Sequence, residues 1–125
     1  MPKIEVTLLL VTLGLLPSLC LGANNTWQYT IGRMVEKQQV TVCQSQAIVE
    51  TIADTFQSQG PRAGYALISQ APECHIEVLS FTPNRIAEKF SVKTESSAYT
   101  IHFIEITTAD DTTHFLFTTR NVKAR

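Results

Sequence analysis

Apolar positions along this 125-residue chain follow one period before residue 74 and another after it. In "SQAIVETIADTFQSQG", Ile48, Val49, Ile52, Ala53 and Phe56 recur at helical spacing and make one stripe. Glu50, Asp54 and Gln57 fall largely on the other side. Ser45 can accept from the free N–H groups of a first turn, and Gly60–Pro61 is a stop signal. The pattern predicts a helix over 46–59. Tyr65, Ala66, Leu67 and Ile68 form a shorter cluster ending at Ala71–Pro72, which reads as a second, shorter helix. Ahead of both, Val40 and Val42 alternate with polar neighbours in "QQVTVCQS", as in a short strand running into Cys43.

From Cys74 onward the pattern is that of strands. "HIEVLSF" is rich in β-branched and apolar residues and stops at Thr82–Pro83. In "RIAEKFSVK", Ile86, Phe90 and Val92 share a parity. "SAYTIHFIEITT" puts Tyr99, Ile101 and Phe103 on one face and Ile104 and Ile106 on the other. That switch predicts a bulge or a strand covered on both sides. "TADDT" reads as a hairpin turn, and "THFLFTT" as a last strand carrying Phe115 and Phe117. The short connections favour an antiparallel meander. The expected fold is α+β: an N-terminal helical segment, one long helix and one short, packed on a meander of four or five strands. Strong curling would turn that meander into a small SH3-like barrel, an analogy of architecture that carries no function.

The first residues change what the cysteines mean. Lys3, an apolar run from about Val6 to Leu16, a Pro17–Ser18 break and small residues at Gly22 and Ala23 have the layout of a secretory signal peptide over 1–22. A retained leader is the rival reading, and it would be the only membrane contact. Lipid modification at Cys20 is disfavoured, because Leu19 before it is bulky for that processing step. Residues 23–38 are expected to be a leader or an edge strand, and 39–125 one disulfide-stapled domain. The expected location is exported, either periplasmic or secreted. From Ala23 onward the chain carries nine Lys/Arg and ten Asp/Glu. It has no basic stripe for phosphates, so nucleic acid is not an expected partner.

Without residues 1–22 only Cys43 and Cys74 remain, and an even count in an exported chain points to a disulfide. Closing a loop of about 30 residues would contribute roughly 3–4 kcal/mol to a small domain. Cys74 precedes His75, the pairing that a thiol nucleophile and its base would show. Neighbours in a strand point to opposite faces, however, which separates the two. His75, His102 and His114 are candidates for a zinc site only if their strands bring them together. No H-x-H or H-E-x-x-H pair supports that, and the parity of His102 and His114 predicts solvent-facing or hydrogen-bonded side chains. Asp110–Asp111 belong to the turn, and Glu50 and Asp54 to the wet face of the helix. The five glycines are scattered and form no phosphate-binding loop. "NNT" at Asn24 matches a glycan acceptor. Trp27 and Tyr29 after it either anchor a partner or pack as an edge strand.

With no catalytic grammar and no expected cofactor, the chain reads as a small exported, non-enzymatic binding or interaction module. Its partner would be an unknown protein or envelope component, met at a sheet edge or on the open side of the meander, by strand addition or a loop patch. The alternative is a small periplasmic enzyme or metal/thiol protein using Cys74 or the histidines.

Overall fold

A computed structural model describes residues 27–124. The expected leader 1–22, its Cys20 and the Asn24 acceptor lie outside the described residues. The elements run β1 (Tyr29–Thr30), β2 (Val35–Cys43), α1 (Gln46–Gln59), α2 (Pro61–Gln70), β3 (Cys74–Lys93), β4 (Ala98–Thr108), β5 (Thr113–Thr118) and β6 (Val122–Lys123). No helix among them is long and apolar enough to cross a membrane.

The helices form where the pattern places them. Ser45 Oγ accepts from the Ile48 N–H at 3.3 Å, and Val49, Ile52, Ala53 and Phe56 are the buried stripe of α1. Gly60, at φ 96°, breaks the axis between the helices. Such a φ favours glycine, which has no Cβ to clash. Its N–H caps α1 through the Phe56 carbonyl at 3.1 Å. Pro61 then opens α2, where a missing N–H costs nothing.

The helical segment is not N-terminal. It is an excursion between two strands that pair with each other, β2 and β3, with Cys43 directly opposite Cys74. Buried residues enter β2 only in its second half, at Val40, Val42 and Cys43, so its polar first half gives no strand signal in the sequence. A second difference concerns β3. Cys74–Lys93 is one strand of 20 residues, where the sequence predicts two strands divided at Pro83. Its first part pairs with β2 and its second part, from Phe81, with β4, with register shifts after Pro83 and Ile86. Pairing with β2 has ended before Pro83, so no ladder position there requires its N–H, and its carbonyl accepts from the Gly32 N–H at 2.8 Å.

Strands β4 and β5 form the expected hairpin, and β5 pairs back onto β2 through Thr41–Cys43. The four antiparallel strands therefore close in the order β2–β3–β4–β5–β2. The molecule is mixed α+β. Cys43, Phe90, Val92, Ile101, Phe103 and Phe115 pack against the buried faces of α1 and α2. Val40, Val42, Phe81, Ile104, Ile106 and Leu116 form a second cluster that includes Tyr29. The parity switch in β4 is thus a strand buried on both faces. β1 pairs parallel with β6, which ties the start of the described chain to its end.

Candidate interaction surface

Cys43 and Cys74 form a disulfide across adjacent strands, with a Cα–Cα distance of 4.0 Å. The bridge closes the neck of the helical excursion, and both residues are buried. Cys74 points into the helix-facing core, whereas His75 is exposed and pairs with Glu77 at 2.6 Å. The bridge leaves neither sulfur as a thiol, and the His75 ring is held by Glu77 on the strand surface.

The other histidines lie elsewhere. His102, on β4, is only 6% exposed, where its parity predicted a solvated or hydrogen-bonded ring. It lines a small cleft with Gln28, Asn121 and Val122 from the two chain ends, which the local pattern of β4 does not reveal. Burial, then the nearby Lys89 charge, holds its pKa below the ordinary 6.5, opposed by a hydrogen bond to the backbone of Arg120. His114, opposite Ile106 on β5, is half-buried. The Nδ1 atoms of His102 and His114 find no hydrogen-bond partner among the described residues. Among the described residues no three His, Cys, Asp or Glu side chains gather as metal ligands. At the β4–β5 turn, Thr108 donates to Asp110 and holds its carboxyl below the usual range, while Asp111 takes a positive φ of 71°. Glu50 and Asp54 are exposed on α1.

Tyr29 and Trp27 have separate fates. Tyr29 is 3% exposed, with its ring 5.9 Å from that of Phe81. Burial raises its hydroxyl pKa against the opposing effect of Arg120. Trp27 stays partly exposed, edge-on to Tyr29 at 4.7 Å, with the Arg120 guanidinium 4.4 Å over its ring. Of the two aromatics, Tyr29 therefore packs with the edge element, whereas Trp27 retains accessible surface.

The two most exposed large apolar side chains among the described residues lie on β3. Residues 74–79 pair with β2 along one side, and β4 joins the other side only from Phe81. Among the described residues Cys74–Leu79 thus presents a free edge, and residues 75–78 are exposed on both faces. Ile76 and Val78 are 65% and 61% exposed, high values for β-branched aliphatic side chains on a strand. Beside them runs an open groove of about 560 Å³, walled by Tyr65 and Ile68 of α2 and by Thr41, Ile76 and Phe117 of the sheet. The Tyr65 hydroxyl pairs with that of Tyr99 at 2.9 Å. Burial and that bond raise the Tyr65 pKa, so it stays protonated. The sequence shows the alternation His75–Ile76–Glu77–Val78, but not that its apolar members lie beyond the cover of the helices.

Free strand edges template the addition of further strands, so native chains usually shield them with charged side chains, proline, bulges or a covering element. This edge carries the His75–Glu77 pair on one face. Comparisons with protein-family models, curated proteins and solved structures find no match to this chain.

Proposed function

We propose that this protein is a small exported, non-enzymatic interaction module of the cell envelope or extracellular space. It takes up an extended segment of a protein partner along the free edge of β3. The single observation behind the reading is that edge, with Ile76 and Val78 exposed beside an apolar groove. In strand addition the backbone supplies affinity, and pockets for alternate side chains supply selectivity. The groove provides such a pocket on the face of Ile76. The Cys43–Cys74 bridge supports the exported location, because disulfides persist in oxidising compartments. We also read the closed ring of strands as a small barrel of SH3-like kind, on the ground that one bent strand serves both halves.

The test is amide hydrogen exchange of the exported protein in the presence of envelope extract. Slowed exchange at residues 74–79, lost in Ile76→Lys, is the expected result. Unchanged exchange along this edge in extracts from several growth conditions would count against the reading.

A further inference from the structure

We propose that the free edge of β3 is filled by the same edge of a second copy of this chain, antiparallel about a two-fold axis, with Ile76 opposite its counterpart. The inference rests on the reading above and names its partner.

The backbone sets which residues can bond outward. Gln44 N–H donates to the Glu73 carbonyl at 3.0 Å. Bonded and non-bonded pairs alternate along an antiparallel ladder, so Val42–His75 and Val40–Glu77 are the bonded pairs with β2. The N–H and C=O groups of Ile76 and Val78 therefore point away from β2. Ser80 is in phase with them, and its carbonyl accepts on that side from the Ala109 N–H at 3.2 Å. The Cys74 N–H is already committed to the Ala71 carbonyl at 3.1 Å, and its C=O has no backbone partner outward among the described residues.

Two such edges bond only when even-numbered residues face even-numbered residues. With Ile76 opposite Ile76, each donates to the other, and each Val78 N–H reaches the partner's Cys74 carbonyl. The odd residues then form the non-bonded pairs, whose side chains approach most closely. In this register each His75 lies opposite a Glu77, an N–H donor facing a carboxylate. These are the groups that already meet at 2.6 Å within one chain. Sliding by one bonded pair in one direction sets Glu77 against Glu77, and in the other His75 against His75. The first register opposes two carboxylates and the second sets each Glu77 against the partner's Glu73, and like charges directly opposite destabilise a sheet. Complementarity thus selects one register, and in it the edge is complementary to itself. An unrelated strand has no reason to match that order. The symmetric pair also brings Ile76 against Ile76 beside the two grooves and withdraws the most exposed β-branched side chains from water.

The experiment is sedimentation velocity on the full chain, exported to an oxidising periplasm and purified, over a wide concentration range. Dimerisation is expected for the native sequence, with a monomer of unchanged far-ultraviolet spectrum for Ile76→Lys. Glu77→Lys should weaken the dimer about tenfold, since two symmetric pairs turn unfavourable together. His75→Glu combined with Glu77→Lys should recover it, because opposite charges again face each other. Both positions are exposed, so this pair tests the register even where Ile76→Lys fails to fold. A chain that stays monomeric throughout, a dimer indifferent to Ile76→Lys, or a double variant no better than Glu77→Lys would overturn the proposal. A monomer whose β3 edge is protected by envelope extract would overturn the second copy as occupant while leaving the interaction-module reading in place.

Discussion

Replacing Gly64 with alanine adds one methyl group where the two helices come closest. A Cβ there would lie 2.4, 2.5 and 2.6 Å from Cδ2, Cγ and Cε2 of Phe56, against 3.4–4 Å for ordinary contact. Relief requires a movement of about 1 Å, and the ring has nowhere to go. It is buried, edge-on to Tyr65 at 5.0 Å and tilted against Phe90 at 5.2 Å. Overpacking of this kind costs about 1–3 kcal/mol, and a contact this short belongs in the upper half of that range. The alanine recovers up to about 1 kcal/mol of helix propensity. The net loss is therefore about 1–2 kcal/mol. For a domain of this size that lowers Tm by roughly 5–15 °C, measured by circular dichroism and checked by urea unfolding. Gly60→Ala separates sterics from backbone, since its Cβ meets nothing within 4 Å and only the φ of 96° is strained. Trimming the ring should rescue the site: Phe56→Leu with Gly64→Ala should cost less than the two single changes added together. A Gly64→Ala protein as stable as the parent would refute the claim that Phe56 is wedged against α2.

Three further outcomes follow from the same packing. Cys43→Ala with Cys74→Ala opens a loop spanning 31 residues and should cost about 3.5 kcal/mol; a loss below about 1 kcal/mol in chemical denaturation would contradict this role. Because the pKa of His102 is lowered on folding, the unfolded chain binds more protons below about pH 6.5. Stability contributed by the neutral ring should thus be present above that pH and fall as the solution is acidified; His102→Gln should flatten this part of a Tm–pH profile. Trp27→Ala removes the edge-on contact with Tyr29 and the Arg120 stack, and should cost about 1 kcal/mol; an unchanged Tm would show that the leader does not stabilise the domain.

The helices were legible because an amphipathic period is local information. Ser45, the Val49–Phe56 stripe and Gly60–Pro61 delimit α1 from within its own span. The strands from Ala98 to Thr118 were legible for a similar reason, since alternation and the Asp110–Asp111 turn mark them. Pro83 misled, because a proline in a strand is read as a stop unless the partner's position is known. Here the pairing with β2 has ended before it, so the missing N–H leaves no ladder bond unmade.

The apolar faces, the turn positions and the candidate pairing of two sulfurs can be read along the chain, because side-chain size, polarity and spacing carry those directly. Which face lies against what is set by the folded arrangement. It buried His102 beside residues from both ends of the described chain, and it packed Tyr29 inside while leaving Trp27 partly exposed. It also placed Ile76 and Val78 beyond the reach of the helices and left their backbone groups on an open edge. A strand's alternation specifies two faces, but its neighbours are chosen by ring closure among residues far apart in the chain, and no local pattern encodes that choice.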